Sequence, residues 1–269
     1  MNAAVLGSAE RVAAMLLRYG YLLRGSWPRL LELVYWPTVQ MMLWGFMTNF
    51  LVTNSTWVAQ AAGVLISGVL LWDILYRSQL GVAMMFLEEM YARNLGQLFV
   101  SPLRPLEWVI SLVTVSLLRT LISFVGASLL AILFYHFSIF SLGFPLIFFF
   151  FNLMVMGWAI GLAVCGLVLR YGMGAESMAW VAIFALAPFT GIYYPIGSLP
   201  APLQVFAHLL PSSYVFEGMR AVLIQHVVRY DLLRNAVALN VVYMVLGTIA
   251  FLIAFRAARV RGMLIHVGE

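Results

Sequence analysis

The sequence EEMYARNLGQLFVSPLRPLE, residues 88–107, forms a polar island between two long apolar segments. It carries three carboxylates and two guanidinium groups, those of Glu88, Glu89, Glu107, Arg93 and Arg104. A charged segment of this length cannot lie in hydrocarbon, because its polar groups would lose their water without replacement. We therefore expect the island to lie in water or against a soluble partner, and we interpret it as a docking element.

The composition around the island indicates an all-α integral membrane protein. Of the 269 residues, 64% are hydrophobic and 9% are charged, which leaves too few polar groups to cover a soluble globule. Every one of the 15 Lys+Arg positions is arginine, and the formal net charge is +5. Because these arginines cluster near the ends of apolar segments, they follow the positive-inside rule, and we expect no nucleic-acid partner.

Several kinds of chemistry are excluded by missing residues. Without lysine the chain cannot form a nucleotide-binding P-loop, so we expect no ATP hydrolysis by that route. Cys165 is the only cysteine, which excludes an intrachain disulfide and a thiolate metal cluster. The four histidines lack the spacing of metal ligands. We predict no catalytic residue, no metal site and no cofactor on this chain.

Six apolar segments predict six transmembrane helices within a single domain, residues 1–269. They cover residues 30–52, 59–87, 108–135, 144–169, 178–196 and 236–255. Each approaches or exceeds the ~20 residues needed to cross a bilayer. Six crossings place both termini and the island on the arginine-rich side, which is the cytoplasm. Three arginines before the last span are exceptions on the outer side, namely Arg220, Arg229 and Arg234.

Two segments differ from simple spans. Residues 1–29 combine an apolar seam at helical spacing with Arg11 and Arg18 on its flank, which predicts an interfacial helix with arginines toward lipid phosphates. The alternative is a soluble helix packed on a partner. Residues 193–220 are rich in proline, which predicts a broken, re-entrant pair of short helices on the external side.

Charges within the spans are few. Asp73 and Arg77 lie four residues apart on the second span, where a pair is favoured over a lone charge. The pair is either a gate in a transport path or a structural ion pair. Arg119 has no acid nearby in sequence, and either Asp73 or a carboxylate of another helix could be its partner. Gly157 and Gly161 form a G-x-x-x-G pattern that permits close helix approach.

Two motifs resemble the ABC-2 type permease family, the membrane subunits of bacterial ABC exporters. The island reads E-x-x-x-R-N-x-x-x-L-x-x-S-P-x-x-x-x-E, through Glu89, Arg93, Asn94, Leu98, Ser101, Pro102 and Glu107. Many members have R-G-T in place of R-N-L and run about one residue longer. A later motif, P-x-x-Y-x-x-E-x-x-R, is formed by Pro211, Tyr214, Glu217 and Arg220. The resemblance covers nearly the whole chain.

The resemblance implies an interfacial N-terminal helix, six spans, external re-entrant helices and a cytoplasmic coupling helix within residues 88–107. It implies a separate nucleotide-binding subunit that binds ATP and Mg, a second permease copy in a homodimer, and the bacterial inner membrane. We predict that coupling to the ATPase involves the residues Glu88, Glu89, Arg93, Asn94, Ser101, Pro102 and Glu107. Glu217 and Arg220 are predicted either to fix the re-entrant helices as an external lid or to form a simple surface ion pair.

The expected function is that of a permease subunit in an ATP-driven exporter of an amphiphilic, lipid-like or lipo-oligosaccharide substrate. The stretch ARNL at residues 92–95 looks similar to exporters of lipo-oligosaccharides. One alternative is a membrane-embedded enzyme or assembly factor for lipid-linked substrates. Another is an ion-coupled secondary carrier that uses Asp73 as its coupling carboxylate.

Overall fold

The computed structural model describes residues 3–54 and 58–260, and every regular element in these ranges is helical. The predicted all-α fold is thereby confirmed. The ten α-helices are α1 Ala3–Arg24, α2 Trp27–Asn54, α3 Val58–Tyr91, α4 Leu95–Val100, α5 Pro105–Tyr135, α6 Pro145–Tyr171, α7 Met178–Leu186, α8 Ala201–His208, α9 Pro211–Arg220 and α10 Tyr230–Val260.

Four of these helices are long and apolar enough to cross a membrane. They are α3 (from Gly63), α5, α6 and α10, which correspond to the second, third, fourth and sixth predicted spans. The first predicted span lies in α2, a 28-residue helix that carries Arg29, Glu32 and an internal Pro37 and is not among the four. The chain is thus a multi-pass membrane protein.

The structure corrects the fifth predicted span, residues 178–196. Helix α7 ends at Leu186 and continues as a single 3-10 turn, Ala187–Phe189, that contains Pro188. The chain then turns at Gly191, whose φ is +70°. At 1.5 Å per α-helical and 2.0 Å per 3-10 residue, the two pieces reach about 20 Å, well short of the ~30 Å hydrocarbon core. Proline and a left-handed glycine therefore divide this segment, although its composition is apolar throughout.

Small residues bring the long helices together around α6, which packs against α3 on one side and α10 on the other. A Cβ atom on Gly157 of α6 would lie 1.8 Å from the Ser78 Oγ of α3. On the other side, a Cβ atom on Gly247 would lie 2.5 Å from the backbone oxygen of Ala159. The predicted close approach at the G-x-x-x-G pattern is confirmed, and its partner is α3.

The bundle has two distinct ends. At the α4 end, the Tyr91 hydroxyl donates a hydrogen bond to the Glu176 carboxylate between α6 and α7. At the opposite end, the Trp44 and Tyr193 rings stack with centroids 4.9 Å apart. Among the described residues, the arginines of the α4 end are Arg11, Arg18, Arg24, Arg29, Arg93, Arg104, Arg170, Arg256 and Arg259. Arg261, predicted for the same side, lies outside the described residues.

Candidate functional site

The polar island begins inside α3 and contains a short helix of its own. Helix α3 ends at Tyr91, and two residues later Arg93 has a left-handed backbone conformation with φ of 52°. The backbone amide of Asn94 donates to the backbone oxygen of Glu89 at 3.0 Å, and the backbone amide of Arg93 donates to the backbone oxygen of Met90 at 2.9 Å. This pattern is a Schellman motif, in which glycine is the usual left-handed residue. The chain thereby reverses sharply and enters α4.

Helix α4 has one buried and one exposed face. Leu95 and Leu98 are buried, whereas Val100 is 90% exposed. The Ser101 hydroxyl donates to the Leu98 oxygen at 2.5 Å, and Pro102 follows, so the Ser-Pro pair ends α4 before α5 begins. We call the exposed residues of this reversal the tip surface: Ala92, Arg93, Gln97, Val100, Ser101, Pro102 and Arg104. Asn94 is half-buried beside it.

Glu107, one of the residues predicted to take part in coupling to the ATPase, contacts α1. Its carboxylate accepts hydrogen bonds from the Ser8 hydroxyl at 2.6 Å and from Arg11 Nε at 2.8 Å and Nη2 at 2.6 Å. It also accepts the Arg104 amide at 2.9 Å, which caps the start of α5. The hydrogen bond with Glu107 raises the pKa of the Arg11 guanidinium above its usual value. Glu107 is 3% exposed and therefore does not face a soluble partner directly.

The other two carboxylates of the island are also paired with arginines near the start of the chain. Glu89, a buried residue of α3, accepts a hydrogen bond from Arg18 Nη2 at 2.7 Å. Glu88 and Arg29 form a half-exposed ion pair at 3.4 Å. The expectation that Arg11 and Arg18 face lipid phosphates is corrected, because both side chains bind carboxylates of the bundle.

Helix α1 is therefore a strap across α3 and α5. Between its two arginines, Met15 is buried, and the buried Tyr19 hydroxyl accepts a hydrogen bond from Trp108 Nε1 at 3.0 Å. Burial raises the pKa of Tyr19 above that of an ordinary tyrosine. The sequence contained one signal of this face, since Arg11 and Arg18 are seven residues apart and share a side of the helix.

The strap and α4 enclose a groove next to the tip surface. This groove has a volume of about 410 Å³ and is lined by both helices, including Arg11, Arg18, Gln97 and Ser101. Gln97 and Val100 were missed by sequence reasoning because neither belongs to a motif. Gln97 and Val100 are exposed because Leu95 and Leu98 turn the other face of α4 toward the bundle.

The predicted intramembrane pair is formed. Arg77 Nε donates to Asp73 Oδ2 at 2.6 Å, and Asp73 is 5% exposed. The Ser123 hydroxyl of α5 lies 3.5 Å from the same carboxylate oxygen. The pair is incompletely satisfied, because Asp73 Oδ1 and Arg77 Nη2 are buried and form no hydrogen bond with any residue that the structure describes.

Arg77 and Arg119 line one cleft, with a volume of about 210 Å³, between α2, α3, α5 and α7. Asp73 is occupied by Arg77, and Arg119 forms no ion pair with any residue that the structure describes. The charges that act on Arg119 are those of Glu88 and Glu32, which attract it, and of Arg29 and Arg77, which repel it.

At the opposite end, Glu217 and Arg220 hold the segment that follows α7. Arg220 donates hydrogen bonds to the backbone oxygens of Gly191 and Ile192, the latter at 3.1 Å, and to Glu217 at 3.3 Å. Glu217 in turn accepts the Ile196 amide at 2.8 Å. Arg220 is 8% exposed, so the alternative of a simple surface ion pair does not fit.

The other two residues of this motif hold α9 itself. Pro211 is the first residue of α9, where the missing amide hydrogen is not needed, and its side chain is buried. The Tyr214 hydroxyl donates to the His208 oxygen at 2.9 Å and so ties α9 to the end of α8. The motif residues therefore support a chain that is broken into short helices.

Comparison with protein families identifies one match. The family described as ABC-2 type transporter matches residues 23–224, three quarters of the chain. A comparison with curated proteins gave no match. The matched residues include the tip surface, the intramembrane pair and the α8–α9 segment, while most of the α1 strap and α10 lie outside them. Since the family match contains both motifs and the helices that carry them, the chain belongs to the ABC-2 type transporter family, whose members are the membrane permeases of ABC transporters.

Proposed function

We propose that this permease is the membrane subunit of an ATP-driven exporter, and that its ATPase partner docks on the tip surface. The tip surface is the observation that carries this proposal. It belongs to a short helix with an exposed polar face, which lies between two long membrane helices, α3 and α5. A displacement of α4 by the bound partner is transmitted directly to α3 and α5, because the three helices are connected only by short turns.

The α4 end faces the cytoplasm in this proposal. Nine described arginines lie at this end, compared with Arg220, Arg229 and Arg234 at the other, and the positive-inside rule places the richer side inside. Five of the six crossings are made by the helices α2, α3, α5, α6 and α10. The other is made by residues 178–196 as a broken segment, in which α7 and its 3-10 turn reach about 20 Å and the non-helical residues after them complete the passage. In this arrangement α7 enters from the cytoplasm, and α8 and α9 return as a re-entrant pair within the outer half of the bilayer. The membrane is the bacterial inner membrane.

The energy comes from the partner subunit. A chain without lysine lacks the residue that a P-loop uses to contact nucleotide phosphates, so ATP and Mg bind on a separate nucleotide-binding subunit. Two such subunits close on each other, and two permease copies, in a homodimer, enclose the path of an amphiphilic substrate. The resemblance of residues 92–95 favours lipo-oligosaccharides. Surrounding lipids contact the exposed apolar faces of α5 and α10.

The roles of the acidic residues differ from those of the tip surface. Glu89 and Glu107 act through α1, since each binds an arginine of the strap and neither reaches the surface. Arg93, Ser101 and Pro102 contact the ATPase directly. The secondary-carrier alternative is disfavoured, because the Asp73 carboxylate that would carry the ion is already bound by Arg77.

A cross-linking experiment with a matched control tests the docking surface. Ser101→Cys places a thiol on the tip surface and Ser198→Cys places one at the opposite end. Both serines are exposed and donate to the backbone oxygen three residues earlier, so the two substitutions remove equivalent hydrogen bonds. The native Cys165 is buried and will not react. We expect a short maleimide–diazirine linker, which reacts with the introduced thiol and then inserts into any nearby bond on illumination, to join position 101, and not position 198, to a co-purified ATPase subunit. Equal cross-linking at both positions, or an ATPase that never co-purifies, would refute the proposal.

Replacing Arg93 separates coupling from stability. Because Arg93 is left-handed at the end of α3, Arg93→Gly relieves backbone strain while it removes the guanidinium group. We expect this variant to be as stable as the wild type, and we expect its complex with the ATPase subunit to hydrolyse ATP without transport. Normal coupling in Arg93→Gly would show that the guanidinium does not contact the ATPase.

A further inference from the structure

We propose that the cleft containing Arg77 and Arg119 binds the phosphate headgroup of an amphiphile. This rests on the proposed function for the direction of movement, but binding itself requires neither the ATPase nor nucleotide. The ligand group that the cleft would recognise is a phosphate oxyanion, bound by the guanidinium groups of Arg77 and Arg119.

The two arginines lie at the same depth in the bundle. Arg77 is 14 residues before the end of α3, and Arg119 is 14 residues after the start of α5. Each is therefore about 21 Å from the α4 end of its helix, at 1.5 Å per residue. Charges at such depth are costly, and they are retained mainly where they pair or bind a substrate.

The cleft contains unused cationic hydrogen-bonding capacity. Arg77 Nε donates to Asp73, while Arg77 Nη2 is buried and has no hydrogen-bond partner within residues 3–54 and 58–260. Arg119 has no carboxylate within 4.0 Å among the described residues. Guanidinium groups donate in a planar fork that matches phosphate oxygens, so an oxyanion between them would satisfy both arginines.

The acids of the cleft do not cancel this charge. Glu88 is already paired with Arg29 at 3.4 Å, and Asp73 with Arg77. Glu32 remains as an exposed acid on α2 that attracts Arg119 without contacting it. An incoming phosphate would compete with Glu32 for Arg119, which predicts that removing the Glu32 charge strengthens binding.

The dimensions and walls of the cleft suit a headgroup attached to an apolar or sugar-bearing body. A volume of 210 Å³ equals about seven water molecules, enough for a phosphate group. Trp36, Tyr76 and Trp180 form aromatic walls, and the Tyr76 and Trp180 rings are 6.2 Å apart between centroids. Aromatic rings supply large apolar contact area with a polar edge.

The test measures lipid retention by the purified permease alone, using native mass spectrometry. The probes are phosphatidic acid and diacylglycerol with the same acyl chains, which differ only in the phosphate. We expect the wild type to retain phosphatidic acid about tenfold better, the usual effect of a charge-assisted hydrogen bond. Equal retention of the two lipids would overturn the proposal.

Four variants assign the effect to the cleft. Arg119→Gln should abolish the preference for phosphatidic acid, Arg119→Lys should keep part of it, and Glu32→Gln should increase it. Arg170→Gln is the matched control, since Arg170 is exposed at the end of α6 and lies outside the cleft. The same loss in Arg119→Gln and Arg170→Gln would overturn the assignment, and so would weaker binding in Glu32→Gln. The opposite responses of Arg119→Gln and Glu32→Gln cannot arise from misfolding.

Adding inorganic pyrophosphate distinguishes the two sources of a phosphate. If the ligand is an amphiphile, pyrophosphate should displace phosphatidic acid only weakly, because it lacks the apolar contacts. Displacement at micromolar concentration would assign the site to a soluble anion and overturn the lipid headgroup. Cross-linking at position 101 does not depend on the cleft, so a failure here leaves the proposed function intact.

Discussion

Replacing Arg18 with methionine should destabilise the protein more than replacing Glu89 with glutamine, although both changes break the same ion pair. The two side chains are buried to very different extents. The Arg18 side chain is 32% exposed, and the Glu89 side chain is 3% exposed. The charge that remains after each substitution therefore meets a different environment.

The magnitudes follow from that difference. In Arg18→Met, the Glu89 carboxylate stays buried without its cation, and its Oε1 already lacks a hydrogen-bond partner in the described part of the chain. Leaving such a charge uncompensated costs about 3–5 kcal/mol. We take the lower end of this range, about 3 kcal/mol. In Glu89→Gln, the Arg18 guanidinium can turn to water, and we expect a loss of about 1 kcal/mol.

Thermal unfolding of the purified protein in nanodiscs measures both effects. For a chain of this size, 1 kcal/mol shifts the melting temperature by about 2–4 °C. We therefore expect a fall of about 6–12 °C for Arg18→Met and about 2–4 °C for Glu89→Gln. The double variant should resemble Glu89→Gln, because no buried charge remains. Arg24→Met is the matched control, since Arg24 is exposed at the end of the same helix. A larger loss in Glu89→Gln than in Arg18→Met would refute the strap geometry.

Two further charge pairs allow opposite predictions. The exchange Glu217→Arg with Arg220→Glu should lower the yield of folded protein more than either single variant. The reason is that Arg220 donates to backbone oxygens and Glu217 accepts a hydrogen bond from a backbone amide, and the exchanged side chains can do neither. Size-exclusion chromatography with fluorescence detection measures the yield. Normal yield of the exchanged protein would mean that the pair acts only through its charges. Asp73→Ala should lose more folded protein than Asp73→Ala with Arg77→Met, since the single variant leaves a buried cation at a cost of several kcal/mol. Equal losses would show that the two residues are independent.

Much of the fold could be predicted from the sequence because it depends on local patterns. An apolar run of 20 or more residues indicates a membrane helix wherever it occurs, and α3, α5, α6 and α10 follow this rule. The pairing of Asp73 with Arg77 could also be predicted, because residues four apart on a helix are neighbours. The break in the fifth span had a visible signal in Pro188 and Gly191, but the apolar composition around them concealed it.

The contacts of two carboxylates of the island, Glu89 and Glu107, were decided only by tertiary structure. By sequence alone, Glu89 and Glu107 belong to a polar segment and were expected to meet a soluble partner. Their actual partners are Arg18 and Arg11, which are 71 and 96 residues away in the chain. Such contacts leave no trace in local periodicity, because they depend on how α1 crosses α3 and α5. Composition and spacing determined that this chain spans a membrane, while the packing of distant helices decided which of its charges are buried and which remain free to meet a partner.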